Sequence, residues 1–350
     1  ITYVSANRRQ DNVRVSITLP EGLELASGES TQTISTINAG ETIGITWRLR
    51  ATGDVEDTRV PISFSATSQS GDRADLTMDV NIGRIYTPRA DGYKFANTLR
   101  SFGYPDGYIY PSWEIFREVF GPENTEIERE ILGRRFTIPN PIAWLYWRLI
   151  RGEWGGSCDG MSVTSRLFDI GFLDPTIYGG ARVNDLPVPR SPNAPLTQLI
   201  ERYQLYQEGR EVKAEYAQAP KDVEGVFQRV REALSGGPPV IIWIKGPYQD
   251  GNRIEKVGHA VVPWRLENVR ENKWRIYVYD PNDPYPISRL RQRYSEQRYI
   301  EIDLARLTWT FQLFSSQDII WNQDNGTIAC LRLSAYAVRP TPPWRLTSQQ

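Results

Sequence analysis

Residues 155–168 read GGSCDGMSVTSRLF and place a cysteine where a helix is predicted to begin. Apolar residues recur at helical spacing after it, from Met161 to Phe168. At a helix N-terminus a thiol lies beside unpaired backbone N–H groups and the positive end of the helix dipole, which favours the thiolate form. The flanking glycines allow an unusual turn and a close approach by another segment. Cys158 is therefore a candidate nucleophile, with a small buried cysteine as the alternative.

The composition excludes several classes of function. The 350 residues include one histidine and two cysteines, so neither a disulfide framework nor a zinc-ligand set can be assembled, and we predict no metal and no cofactor. The 41 basic and 42 acidic residues give a net charge of -1, which argues against a nucleic-acid partner. The sequence contains no signal-peptide pattern and no apolar run near the ~20 residues of a transmembrane helix. The second cysteine, Cys330, lies in a strand-like segment and is predicted to pack.

Residues 1–84 are predicted to form an all-β sandwich. Apolar and polar residues alternate with a period of two, so each strand should bury one face and expose the other. Turn-forming residues separate the strands at the spacing that antiparallel sandwiches show. The alternating segments are residues 13–19, 43–49, 62–66 and 76–82.

After residue 84 the pattern changes. Residues 85–134 are rich in Gly, Pro and aromatic residues, and they are predicted to be a linker and the leading segment of a catalytic domain over 135–345. That domain is predicted to be α+β, because helical periodicity comes first and strand patterns follow. Helices are predicted over residues 141–152, 161–171, 195–218 and 221–234, and strands over 239–246, 257–266, 274–280, 298–304 and 327–338.

The single histidine, His259, opens an apolar strand directly after a glycine. The next predicted strand ends at Asp280, and the polar segment between the two strands predicts a hairpin. If Leu266 pairs with Lys273, His259 and Asp280 are directly opposite on one face, with Cβ atoms about 4.5–5.5 Å apart. A carboxylate there would hold the imidazole and fix its tautomer. Asn282 has the same parity and is the alternative orienting residue, whereas a slip of one residue would move Asp280 to the other face.

Three stretches, GGSCDGMSVTSRLF, VGHAVVPWRL and IYVYDPNDP, together resemble the papain-like cysteine peptidase superfamily. Its bacterial branches are the most similar, including the peptidases that process bacteriocin leaders. The resemblance covers roughly residues 135–340 and implies a helical lobe followed by an antiparallel β lobe. It implies Cys158 as the nucleophile, His259 as general base and acid, and Asp280 as the orienting residue. It also implies a peptide or protein substrate that is cleaved through a thioester.

The chain departs from this family at the oxyanion site. Such enzymes usually carry a Gln a few residues before the nucleophile, but the residues before Cys158 read RLIRGEWGGS. Asn140 and the indole of Trp154 are candidate side-chain donors, and the backbone N–H of Cys158 is a third. Removal of one oxyanion donor typically costs about 10²–10³-fold in rate, so this position matters to activity.

Residues 19–51 resemble the Ig-like modules that flank bacterial secreted and cell-surface enzymes. That resemblance implies a fold and an extracellular or cell-surface location, with no activity of its own.

Three alternative functions remain open. A transglutaminase-like acyltransferase uses the same three residue types in the same order. A catalytically inert papain-like domain could serve a surface binding or adhesion protein. The stretch GSCDG also fits the nucleophile elbow of α/β-hydrolases, although that motif needs a preceding strand and places the acid before the histidine.

Overall fold

The computed structural model describes residues 2–51, 58–82, 86–131, 134–250, 253–284, 297–313 and 319–344. The protein mixes α and β structure, and the chain divides into two compact units. One comprises residues 1–85 and 169–172, and the other comprises residues 86–168 and 173–350.

In the first unit, the only regular secondary structure among the described residues up to position 82 is β-strand. A four-stranded antiparallel sheet has the order β4-β2-β7-β8, and two ribbons pair β1 with β5 and β3 with β6. The strands are β1 (Thr2–Ser5), β2 (Gln10–Thr18), β3 (Leu23–Ser27), β4 (Thr31–Ile37), β5 (Thr42–Ile45), β6 (Arg48–Ala51), β7 (Thr58–Thr67) and β8 (Arg73–Ile82).

The predicted alternation is confirmed in β2, where Val13, Val15 and Ile17 are buried and the residues between them are more exposed. The prediction of one strand over 43–49 is wrong. The chain changes partner strand at Trp47, whose ring packs against both apolar clusters of this unit. The Trp47 indole N–H donates to the Glu29 carbonyl. The residues before Trp47 pair with β1, and those after it pair with β3.

The second unit begins with short elements and continues through longer helices. Its described α-helices are α1 (Pro88–Asp91), α2 (Leu99–Phe102), α3 (Trp113–Phe120), α4 (Pro122–Thr125), α5 (Pro141–Ile150), α6 (Cys158–Asp169), α7 (Pro195–Tyr206), α8 (Arg210–Gln218) and α9 (Val223–Leu234). Short 3₁₀ turns cover Pro175–Tyr178, Val183–Asp185 and Leu333–Tyr336. The helix predicted over 195–218 is two helices, because Gly209 caps α8 where a Cβ would meet Pro340 at 2.4 Å.

The strands of this unit form one large sheet and two small ribbons. Seven antiparallel strands follow the order β18-β17-β16-β15-β14-β13-β19, while β9 pairs with β12 and β10 with β11. The strands are β9 (Ile109–Tyr110), β10 (Glu126–Ile131), β11 (Arg134–Pro139), β12 (Gly152–Glu153), β13 (Val240–Asp250), β14 (Arg253–Arg270), β15 (Lys273–Tyr279), β16 (Tyr299–Asp303), β17 (Thr308–Gln312), β18 (Ile320–Asn322) and β19 (Thr327–Arg332).

The seven-stranded sheet curls into a half-barrel. Trp321 of β18 donates its indole N–H to Pro247 of β13, and its ring covers Gly246, although several strands separate the two in the sheet order. Apolar side chains fill the concave side, together with α9. Each fully buried aliphatic or aromatic side chain there stabilises the fold by about 1.5–3 kcal/mol.

Helix α6 is enclosed on nearly all sides, with Met161 and Leu167 fully buried. Small residues allow this close packing. A Cβ at Gly160 would meet the Ile200 carbonyl oxygen of α7 at 2.1 Å, so only glycine fits there. The Ser165 hydroxyl donates to the Asp91 carbonyl at 2.6 Å, which satisfies a buried polar group.

Candidate active site

The first turn of α6 lies against the edge of β14. The register of the β14–β15 pair begins at Val262, so the earlier residues of β14 have no β15 partner on that edge. Ser162 donates its hydroxyl to the Ala260 carbonyl at 2.9 Å, and one turn earlier Sγ of Cys158 lies 4.0 Å from the Gly258 carbonyl oxygen. These contacts place the thiol next to His259.

The hairpin that carries His259 and Asp280 has a different register from the predicted one. Leu266 pairs with Ile276 rather than Lys273, because β14 continues to Arg270 before the turn. The pairing is therefore shifted by three residues, and such a shift would place Asp280 on the opposite face of the sheet from His259. An irregularity between Pro263 and Arg265 reduces the shift to two, and an even shift keeps the same face. His259 and Asp280 are therefore diagonal rather than directly opposite neighbours.

His259 and Asp280 nevertheless meet. Nε2 of His259 is 2.8 Å from Oδ1 of Asp280, and both side chains are buried. Arg298 donates from Nη2 to the other oxygen, Oδ2, at 2.8 Å. The backbone N–H of Asn282 also donates to Oδ1, at 2.9 Å. The carboxylate is thus held from three sides, and the imidazole ring is fixed beside Phe311 at 6.1 Å between ring centres.

The charges of this group stabilise one another. Burial alone would lower the pKa of His259, but the charge and hydrogen bond of Asp280, together with Cys158, raise it well above its ordinary value. Burial alone would raise the pKa of Asp280, but the positive charges of His259 and Arg298 lower it well below its ordinary value. Both residues are therefore charged at neutral pH.

The thiol interacts with the imidazole. Cys158 is half-buried, and its thiol is among the groups that raise the pKa of His259. Because Asp280 binds Nε2, the other ring nitrogen, Nδ1, is the one available to the sulfur. A cysteine beside an imidazole that a carboxylate orients is the arrangement that nucleophilic catalysis by cysteine requires.

A further residue, Asn97, joins the loop before the thiol to the turn after the carboxylate. Its Oδ1 accepts the Ser157 N–H at 2.7 Å, and its Nδ2 donates to Oδ1 of Asn282 at 3.2 Å. Its own N–H donates to the Pro281 carbonyl at 3.0 Å. Gly156 is required at this point, because it has a φ of +116° and a Cβ there would lie 2.6 Å from Nδ2 of Asn97.

The other predicted site residues have different roles. The side chain of Asn282 binds Asn97 and not the imidazole. The prediction that Asn140 and Trp154 donate to an oxyanion is wrong. Asn140 caps α5 and its amide donates to the Asn124 carbonyl, whereas the buried Trp154 indole donates to Ser157 at 2.9 Å and to Glu201 at 3.2 Å.

Two buried carboxyl groups lie close to Cys158. Asp159 is the next residue in the chain, and Glu201 accepts a hydrogen bond from Ser157, the residue before Cys158. Burial raises the pKa of Asp159 to about 7, although it accepts hydrogen bonds from Trp243 and Tyr336. Burial likewise raises the pKa of Glu201 to about 7, although Ser157 donates to it at 2.6 Å. Both are fixed by hydrogen bonds behind the first turn of α6.

Sequence reasoning missed Asn97, Arg298 and Glu201. Each lies far along the chain from the residue it supports, in a stretch with no motif of its own. In the described ranges, no cluster of three His, Cys, Asp or Glu side chains could hold a metal ion. No helix in those ranges has the length and apolar character needed to cross a bilayer.

No family model, curated protein or solved structure matches this chain.

Proposed function

We propose that this protein is a thiol-dependent hydrolase that cleaves peptide bonds through Cys158, His259 and Asp280. The observation that carries the proposal is the contact between the only histidine and a buried carboxylate, at 2.8 Å, beside a cysteine at the start of a helix. The arrangement uses the half-buried cysteine, while Cys330 is fully buried.

The chemistry follows from these positions. The thiolate of Cys158 attacks the carbonyl carbon, and a C–S bond forms as the carbonyl oxygen becomes an oxyanion. The imidazolium of His259 gives its Nδ1 proton to the leaving nitrogen, the C–N bond breaks, and the amine departs from a thioester. His259 then takes a proton from water, whose oxygen adds to the thioester. The C–S bond breaks, releasing the carboxylic acid and regenerating the thiolate.

The oxyanion is stabilised by the start of α6. Cys158 is the first residue of this helix, so its backbone N–H has no intrahelical partner and is available to the carbonyl oxygen of the substrate. Preorganised donors of this kind act most strongly where charge develops in the transition state.

The architecture of the two units supports this proposal. A helical part followed by a curled antiparallel sheet is consistent with a papain-like domain, and the all-β first unit is consistent with an Ig-like module. Together they favour an extracellular or cell-surface peptidase that acts on a peptide or protein.

The decisive experiment combines a reactive probe with turnover. An epoxysuccinyl peptide should label the wild-type protein at Cys158, as identified by mass spectrometry, and should block cleavage of a complex peptide mixture. Cys158→Ala and His259→Ala should abolish cleavage, Asp280→Ala should weaken it less, and Cys330→Ala should leave it unchanged. Undiminished cleavage by Cys158→Ala would overturn the proposal. Incorporation of an added amine in place of hydrolysis would identify the transglutaminase-like alternative, and a wild-type protein that neither reacts nor cleaves would identify the inert one.

A further inference from the structure

Lys245 lies beside the residue that contacts the nucleophile. It pairs across β13 and β14 with Gly258, whose carbonyl oxygen is 4.0 Å from Sγ of Cys158. Gly258 is exposed and has no side chain, so the lysine stem passes over it. A Cβ at Gly258 would find Cγ and Cε of Lys245 at 3.8 and 3.9 Å as its nearest described neighbours. On this face of Gly258 the described residues place only the lysine stem within 4 Å.

Two aromatic rings hold the ammonium group in place. Nζ of Lys245 lies 5.1 Å from the ring centre of Tyr216 and 5.6 Å from that of Trp243. The two rings pack at 5.3 Å, and both side chains are partly exposed. A cation over an aromatic face is stabilised without using its N–H donors on an oxygen, so these donors stay available to a ligand.

Two acidic groups close to these rings are bound elsewhere. Asp159 accepts from Trp243 and Tyr336, and Glu215 forms an ion pair with Arg229 at 2.8 Å. Within the part of the chain that the structure describes, no carboxylate is in ion-pair contact with Lys245. A second cation, Lys221, lies 4.6 Å from the ring of Tyr216, but its ammonium donates to the backbone carbonyls of Tyr216 and Ala217.

We infer that Lys245, Trp243 and Tyr216 form a specificity site for a peptide that carries an aspartate or glutamate side chain close to the bond that is cleaved. The inference rests on the proposed function, because it assigns a substrate class to the same thiol. A peptide that acylates Cys158 passes Gly258, and a carboxylate side chain at that level meets the Lys245 ammonium. The methylene groups of that side chain lie along the aromatic rings.

The test uses tripeptide chloromethyl ketones built from alanine, with glutamate or glutamine at one position at a time. At one position, the glutamate reagent should inactivate the wild-type protein about fivefold faster than the glutamine reagent, as expected for a partly exposed ion pair. Lys245→Met should remove this preference without changing the rate with glutamine, and Lys245→Arg should keep it. Lys245→Glu should reverse it. The matched control is Lys256→Glu, an exposed lysine two residues before Gly258 on β14, which should retain the preference.

The outcomes separate the inference from the proposed function. Equal rates for glutamate and glutamine at every position, with labelling still at Cys158, would overturn the specificity site and leave the hydrolase intact. A glutamate preference that persists in Lys245→Met would overturn it as well. If no peptide reagent modifies Cys158 faster than it modifies a free thiol, the proposed function and the inference resting on it both fail.

Discussion

His259 and Arg298 bind opposite oxygens of one buried carboxylate, that of Asp280, each at 2.8 Å. Oδ1 receives the imidazole and Oδ2 receives the guanidinium, so the negative charge is shared between the candidate general base and a second buried cation. Because Arg298 is buried and also donates to the Leu313 carbonyl, it fixes the carboxylate against the sheet. The imidazole is thus oriented by a group that cannot easily move.

Removing the negative charge of Asp280 should lower the activity and shift the pH dependence of kcat/KM. Asp280→Asn keeps an oxygen for the Nε2 proton but removes the charge that raises the pKa of His259, so burial should then lower that pKa. The imidazolium would be lost at a lower pH, and the alkaline limb of the kcat/KM profile should move towards acid. At neutral pH we expect kcat/KM to fall by roughly 10²–10⁴-fold, the usual contribution of general acid–base catalysis. Asp283→Asn, which removes a carboxylate 3.3 Å from Arg298, is the matched control and should leave the limb in place.

Removing Arg298 should mainly destabilise the fold. Arg298→Met leaves the buried Asp280 with one cationic partner and frees two backbone carbonyls, those of Gln312 and Leu313. The loss of one partner of a buried ion pair costs about 3–5 kcal/mol in free energy of unfolding. Urea denaturation should show this loss, whereas the exposed Arg306→Met should change stability by less than about 1 kcal/mol. Equal stability of the two variants would show that Asp280 does not depend on Arg298.

The longer helices and many of the strands could be predicted from local pattern, because alternation and helical periodicity report directly on buried faces. The short helices and ribbons between Pro88 and Pro139 were not predicted. The errors occurred where tertiary contacts overrode the pattern. The segment around Trp47 is regularly alternating, yet it changes partner strand. The segment 195–218 has helical periodicity throughout, yet close packing against Pro340 breaks it at Gly209.

The candidate site could be predicted in part, because rare residue types drew attention to Cys158 and His259. The pairing of His259 with Asp280 was expected on the correct face, but through a register that the structure does not have. The agreement depends on the irregularity between Pro263 and Arg265, which the proline inside the strand could have indicated. Asn97 could not be found, since its contacts with Ser157 and Asn282 span 60 and 185 positions in the sequence.

Substitution of Asn97 should reduce turnover more than it reduces stability. Asn97→Ala removes the acceptor for the Ser157 N–H and the donor to Asn282, so the thiol loop and the carboxylate turn lose their link. We expect kcat to fall about tenfold or more with little change in KM, because a misplaced nucleophile affects the chemical step. Asn97→Asp keeps the acceptor only and should recover part of kcat. If both variants retain the wild-type kcat, Asn97 does not position the nucleophile.

Neutralising Glu201 should change how stability depends on pH. Burial raises the pKa of Glu201 from the usual 4.5 to about 7, so the folded protein keeps a proton that the unfolded chain releases between these values. The wild type therefore loses stability as pH rises through this window, and the loss is complete above pH 7. Glu201→Gln lacks this loss, so between about pH 4.5 and pH 8 its stability relative to wild type should rise by on the order of 3 kcal/mol. The pKa of Asp159 is also raised, and this residue is present in both the wild type and the Glu201→Gln variant.

Urea denaturation at several pH values measures this effect. Glu114→Gln, at an exposed position on α3, is the control, and its stability relative to wild type should stay constant across the window. A constant difference for Glu201→Gln would mean that its carboxyl group ionises alike in the folded and unfolded chains.

Alkylation should distinguish the two cysteines of the chain. Cys158 is half-buried next to an imidazolium, whereas burial of Cys330 raises its pKa to about 12. Iodoacetamide near pH 6 should therefore modify Cys158 about tenfold faster than a small free thiol and should leave Cys330 unmodified, as mass spectrometry of the labelled peptides would show. His259→Ala should remove the advantage of Cys158, because the neighbouring positive charge is lost. A rate for the wild-type Cys158 no higher than that of the free thiol would mean that His259 does not activate it, and the nucleophile would then have to be sought elsewhere.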